Sequence, residues 1–216
     1  SNEVSISYST LNKNELVSHS LPLVWYLAED KKNTKVFANY FMSPRYGLYD
    51  IDIYFELKPE HKEKKSKYIK YINNVFDVCL GKSHNLKGED VFNVEYDMLT
   101  SFDCDLGNIK RKNSPENYNK ISKTQSQNQF KFDWNTYAKE LGYKTAPSFF
   151  IVNDINYLKC IVEKLVENWN TPKWRSYWIF IHLNQMIRFH KKLRHIYYNF
   201  YEKELAGQNA IFPDEI

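Results

Sequence analysis

The sequence is short of the residues that staple, punctuate or hinge a chain: its 216 residues include three cysteines, six glycines and seven prolines. Cys79, Cys104 and Cys160 are too few and too scattered for a disulfide framework or a paired-thiolate metal site, and buried reduced thiols are expected. The isolated glycines make no G-x-G-x-x-G, no P-loop and no G-x-S-x-G elbow, which excludes the phosphate cradles and nucleophile turns built on them. H-E-x-x-H, which sets two imidazoles and a general base on one helix face, is missing as well. No apolar run is long enough to span a bilayer, there is no lipidation signal, and the opening SNEVSISYSTLNKNEL lacks the apolar core of a signal peptide, so the chain reads as soluble with no membrane partner. An excess of one charge is lacking too. Thirty Lys and Arg against 26 Asp and Glu leave +4, without the clustering of a nucleic-acid module, and nucleic acid is not an expected partner.

What is present is apolar and aromatic. Hydrophobic residues make up 43%, enough for one substantial core or two small ones, and aromatics make up 17%. Lys, Asn, Tyr and Ile are abundant, a bias attributed to AT-rich coding before function. Val24 to Ala28 and Val36 to Met42 read as a β-hairpin around the polar turn Glu29 to Thr34. PRYGLYDIDIYFELKPE reads as an irregular connector. A helix is expected from Pro59 to Leu80, with Tyr68, Ile72, Val75, Phe76 and Cys79 on one face and Gly81 past its end, and a second from about Glu89 to Phe102. The polar stretch 103–130 has weak periodicity, with one helical turn beginning at Ser114-Pro115-Glu116. Asp133 caps a compact helix stopped by Gly142, and Ala146 to Val152 reads as a strand. Asn153-Asp154 caps a helix with the stripe Ile155, Leu158, Val162, Leu165 and Trp169. Thr171 and Pro172 then open an amphipathic helix running to Gly207, with Trp174, Trp178, Ile181, Met186, Phe189, Leu193, Ile196 and Phe200 as its apolar face, packed on the preceding helix as an αα-hairpin. The fold class is mainly α: a helical lobe with a small β-hairpin near the N-terminus and a long amphipathic helix near the C-terminus. It reads as a single domain or lobe fragment, with hairpin and connector at 20–57, a helical body at 58–207 and a tail at 208–216.

Chemistry is harder to find. His190 and His195 are five residues apart, about 140° around a helix, a poor arrangement for shared metal ligation. His19, His61 and His84 sit in polar contexts and are expected to be exposed. Arg188, Lys191, Lys192, Arg194 and His195, interleaved with aromatics, read as the wet face of the long helix.

Taken in order, several segments resemble the neprilysin and endothelin-converting-enzyme type of zinc metallopeptidase. The hairpin PLVWYLAEDKKNTKVFANYFMSPRYGLYDIDIYF is similar to a family segment of strand, Asp-Lys-Asn turn, strand and Gly-Leu stretch ending in paired aromatics. Here these are Asp30, Lys31, Asn33, Gly47, Leu48, Asp52, Tyr54 and Phe55. FDWNTYAKELG, PSFFIVNDINYLKCIVEKL, WRSYWIFIHLNQMIRF and FYEKELAGQ resemble the short Trp-bearing helix, the strand and helix after it, and the long helix with its end. The resemblance covers Leu21 to Gly207, an internal portion of the family's helical lobe. It implies a lobe that roofs a closed cavity, contributing substrate access and packing, while the family's zinc ligands and catalytic glutamate lie beyond the matching region. No catalytic or metal-ligating residue carries over, no cofactor is expected in this chain, and zinc is implied for the full-length family. The implied partners are a thermolysin-like catalytic lobe or another protein, with peptides as substrates of the whole enzyme. Arg188, Lys191, Arg194 and His195 are the candidate cavity or partner face. Family members that are secreted carry a cysteine pair where Glu56 to Lys67 has none, so a cytoplasmic or virion-associated relative is expected over a secreted one. The alternative is a non-enzymatic helical interaction or scaffold protein derived from that lobe, with a giant virus as a source suited to AT-rich coding.

Overall fold

The computed structural model describes Tyr8, residues 10–101 and residues 118–207. Cys104, the Ser114-Pro115-Glu116 turn and the 208–216 tail lie outside the described residues. In chain order the elements are strands β1 (Val24–Asp30) and β2 (Asn33–Met42), helices α1 (Pro59–Leu80) and α2 (Gly88–Thr100), strand β3 (Asn119–Ser122), helices α3 (Lys123–Phe130) and α4 (Trp134–Glu140), strand β4 (Phe149–Val152), and helices α5 (Ile155–Asn168), α6 (Pro172–Phe189) and α7 (Arg194–Tyr197), which runs into a π-helix over Tyr198–Leu205. The fold is mainly helical. Its contacts cluster into two compact units, residues 1–46 with 97–169 and residues 47–96 with 170–216.

In the first unit the expected hairpin forms, β1 antiparallel to β2, and continues into a four-stranded sheet of order β1-β2-β4-β3. β4 runs parallel to β2, with Phe41 opposite Val152, and β3 lies antiparallel to β4, with Ile121 opposite Phe150. Because strand side chains alternate, Phe41, Ile121, Phe150 and Val152 share the inner face. Phe41 meets Phe132, Trp134, Tyr137 and Phe150 edge-on, at centroid distances of 5.6, 6.0, 5.4 and 5.3 Å. Such edge-to-face pairs add about 0.5–1.5 kcal/mol each beyond the area they bury. Strand β3 and helix α3 are absent from the sequence reading. β3 has one apolar residue, Ile121, and α3 is nearly all polar, yet Ser122 and Gln125 form a reciprocal capping box.

On α5, with Asp154 as N-cap, Tyr157, Leu158, Ile161, Val162 and Leu165 are buried, while the expected stripe member Ile155 is 40% exposed. The cysteine expectation needs a correction on this helix. Cys160 is disulfide-bonded, and only Cys79, of the described cysteines, is free. Spacing along a chain does not report which loops the fold brings together.

In the second unit α1 runs from Pro59 to Leu80 as expected, with Gly81 beyond it at φ +76°. The expected rod from Thr171 to Gly207 is broken. α6 ends at Phe189, His190 takes extended backbone at φ −83° and ψ 117°, and the chain turns before Arg194. Trp174, Tyr177, Phe180, Ile181 and Ile187 face the core, whereas the expected stripe members Met186 and Phe189 are 61% and 69% exposed. The phase explains the break: a straight continuation would put Ile196, Phe200 and Tyr201 more than about 100° from the middle of that face. After the turn all three are buried, and Phe200 stacks on Tyr71 at 4.6 Å and Tyr68 at 5.6 Å.

Phe41→Ala should cost about 3–5 kcal/mol in denaturant unfolding, because the aromatic cluster cannot collapse around the missing ring. Phe37→Ala, on the same strand with its ring 67% exposed, should stay within about 0.5 kcal/mol.

Candidate functional site

The break at His190 decides where the candidate face goes. Arg188, Lys191 and His195 are exposed and Arg194 is half-buried, gathered around a turn and not spread along one helix face. The Arg188 guanidinium lies 5.5 Å from the Phe189 ring and 5.6 Å from that of Tyr197. His195 Nδ1 donates to the Lys192 carbonyl at 2.9 Å, and His190 Nδ1 accepts from the Lys192 N–H at 3.3 Å, so both imidazoles are tied to their own turn. The tyrosines that follow this turn form no exposed aromatic patch: Tyr201 is 6% exposed, and Tyr197 and Tyr198 are half-buried. Among the described residues no group of three or more His, Cys, Asp or Glu is placed to hold a metal ion.

Two histidines expected at the surface are structural. His61 is 1% exposed, with Nδ1 donating to the Asp52 carbonyl at 3.0 Å and Nε2 4.0 Å from the Asp50 carboxylate. His84 packs edge-on against Phe76 and bonds Asp77 through Nε2 at 3.1 Å. Each stands where a helix end meets a loop, and the polar sequence context carried no trace of the packing.

The most constrained polar group in the second unit is Glu95, on α2 and 3% exposed. Its Oε1 accepts from the Gly47 N–H at 3.0 Å and the Tyr68 hydroxyl at 3.1 Å, and its Oε2 from the Tyr54 hydroxyl at 2.7 Å. Tyr54 in turn accepts from the Leu48 N–H at 3.1 Å and stacks on Phe92 at 5.0 Å. Burial raises the Glu95 pKa to about 7, against the pull of its three donors, and burial beside this carboxylate lifts Tyr54 and Tyr68 well above the usual phenol value. Gly47 is needed for space: a Cβ there would stand 1.7 Å from the Tyr68 hydroxyl. Glu95 thus ties the connector after the hairpin to α1 and α2. One signal could have found it: it shares an apolar helical face with Val91 and Met98, at i, i+4 and i+7, where an ionisable residue needs partners.

The first unit holds a concavity of about 570 Å³ lined by Asp30, Lys32, Val36, Tyr118, Lys120 and Phe149. Asp30 is 4% exposed and accepts from the Lys32 N–H at 2.9 Å and the Tyr118 hydroxyl at 2.8 Å. The Lys32 N–H is the main cause holding its carboxyl below the usual range, while burial, with the Asp30 bond second, pushes Tyr118 up to about 12. Lys32 Nζ sits 4.5 Å from the centre of the Tyr118 ring, and Lys120 Nζ 3.7 Å from that of Phe149. These lysines are far apart in the sequence, and no local pattern pairs them.

Over residues 7–215 the sequence matches the model of peptidase family M13. Among solved structures, the zinc metalloprotease Zmp1 of Mycobacterium tuberculosis in complex with an inhibitor is similar at a TM-score of 0.73 and 18% identity, over 98% of this chain and 32% of that one. The same enzyme in its open state gives 0.72 at 18% identity, over 98% and 32%. PepO from Lactobacillus rhamnosis HN001 gives 0.61 at 16% identity, over 94% and 34%. At these identities the likeness is one of fold, and this chain spans about a third of the length of those structures. No curated protein matches the sequence.

Native Glu95 binds its proton more tightly than the unfolded chain does, titrating at about 7 against the ordinary 4.5. Stability should therefore fall as pH rises from 4.5 to 7 and level off above, by a few kcal/mol at most. Glu95→Gln should flatten that slope in urea unfolding followed against pH. Gly47→Ala should destabilise by about 1–3 kcal/mol through overpacking.

Proposed function

Because the chain belongs to peptidase family M13, we propose that it is part of the helical lobe of a zinc metalloendopeptidase, where it shapes access to an internal cavity and contributes no catalytic residue of its own. The observation that carries this reading is the family match over residues 7–215. The fold shared with Zmp1, described as a zinc metalloprotease, supports it. In a chain spanning about a third of such a structure, zinc and its general base would come from elsewhere in the assembled enzyme. The described residues here offer no set of three ligands for a zinc ion, so no step of the reaction is assigned to them. Their part is positional. The Glu95 bonds hold the connector in one shape, and the exposed Met186 and Phe189 beside Arg188 present an apolar and cationic surface suited to a partner lobe. The Cys160 disulfide weighs toward an oxidising compartment, opposite to the cytoplasmic or virion-associated expectation.

Two measurements test this. The purified 216-residue chain should bind no stoichiometric zinc and cleave no peptide, while the product of the complete reading frame should show chelator-sensitive cleavage that favours short peptides over folded proteins. Zinc-dependent turnover by the 216 residues alone would overturn the assignment. Alkylation without reductant, read by peptide mass, should label Cys79 and leave Cys160 unlabelled until reductant is added; labelling of both at once would contradict the oxidising compartment.

A further inference from the structure

We infer that His84 is a pH-released latch on the head of α2. The neutral ring holds the Leu86 N–H, and uptake of a proton makes it let go of Leu86 while keeping Asp77 at the end of α1. The inference is independent of the family reading, and every residue in it lies in the second unit.

Three successive backbone N–H groups lead into α2, and each is received by a side chain. Leu86 donates to His84 Nδ1 at 3.1 Å, Lys87 to Ser176 Oγ at 3.4 Å and Gly88 to Asn73 Oδ1 at 2.7 Å. N–H groups at a helix start have no partner inside the helix, so these acceptors fix how the chain enters it. Of the three, only the imidazole belongs to a side chain type that takes up a proton between about pH 8 and pH 5. A Cβ at Gly88 would stand 2.6 Å from the Ile69 carbonyl, so α2 starts pressed against α1 and is anchored there whatever the residues before it do.

The two bonds of the His84 ring fix its proton. Nδ1 accepts from Leu86, so the proton of the neutral ring is on Nε2, which donates to Asp77 Oδ1 at 3.1 Å. A second proton has only Nδ1 to go to. There it displaces the Leu86 bond, because two N–H groups cannot donate to each other. The charged ring keeps Asp77, now as an ion pair, in the last turn of α1, where a cation is favoured. The Phe76 ring, edge-on at 5.5 Å, walls the imidazole on that helix. The other charged groups at this junction are Glu89 and Asp90 in the first turn of α2, with Asp90 accepting from Ser176 Oγ at 3.3 Å, and the exposed Lys82 and Lys87 on the loop. Acid therefore releases the latch, the opposite sense to Glu95, which stabilises most in acid.

The test is NMR of the isotopically labelled 216-residue chain, titrated from about pH 8 to about pH 5. At the upper end His84 should show the ring nitrogen shifts of the Nε2–H tautomer. As it titrates, the Leu86 amide signal should move with the same midpoint. Leu86 hydrogen exchange, relative to an unfolded peptide at each pH, should quicken roughly five-fold, the factor that one hydrogen bond of ordinary net strength is worth. The Lys87 and Gly88 amides should keep their protection. Asp77→Asn should carry the His84 and Leu86 midpoints to lower pH together, because the proton has lost its counter-charge. His84→Gln should abolish the Leu86 response, and Glu95→Gln should leave it in place. An Nδ1–H tautomer at the upper end, a Leu86 amide that ignores the His84 titration, midpoints unmoved by Asp77→Asn, or a Leu86 response that survives His84→Gln or disappears with Glu95→Gln would each overturn the inference.

Discussion

One buried carboxylate sets the shape of the second unit. Glu95 gathers the backbone N–H of Gly47 and the hydroxyls of Tyr54 and Tyr68, three donors from two stretches of chain, the connector and α1. A carboxylate taken out of water is costly unless it is hydrogen-bonded, so each donor is required once the first is in place. The consequences spread outward. Gly47 has no room for a side chain, Tyr54 is locked onto Phe92 and holds Leu48, and Tyr68 is aligned to stack on Phe200 beyond the broken helix. His61, bonded to the Asp52 carbonyl, fixes the other end of the same connector. Two of the positions that resemble the metallopeptidase family, Gly47 and Tyr54, thus have a physical reason in this chain: both bond Glu95, and Leu48 bonds Tyr54.

The first unit is organised by rings instead of by charge. Phe41 contacts four aromatic side chains on the inner face of the sheet, and Trp134 anchors the chain after α4 by donating to the Pro147 carbonyl at 2.7 Å. The outer face uses the same rings differently, as seats for lysine ammonium groups. A composition first attributed to AT-rich coding is put to structural use on both faces.

What was legible in the sequence was local. Pro59 and Gly81 bracket α1, and Asp133, Asp154 and Thr171 cap their helices, because each signal acts within one turn of its own residue. The hairpin was legible for the same reason. The break at His190 was not, since HKKLRH contains neither glycine nor proline and the helical spacing continues through it; what ends the helix is the demand of Ile196, Phe200 and Tyr201 for the core. Strand β3 was invisible because an edge strand with one buried residue has no pattern of its own. The candidate face suffered accordingly: Arg188, Lys191, Arg194 and His195 come together on a turn, whereas Lys32 and Lys120, neither of them singled out in the sequence, meet at one concavity through pairing of distant strands.

Membership of peptidase family M13 gives these two units a setting, and the part proposed for them is to present shaped, preformed surfaces to peptides and to a catalytic lobe. That part depends on Glu95 being dry, ionisable and fully engaged. Titration of its side-chain carboxyl carbon by NMR is the most direct test. A midpoint near pH 7 is the predicted result, and a midpoint at the ordinary carboxyl value of 4.5 would contradict the account.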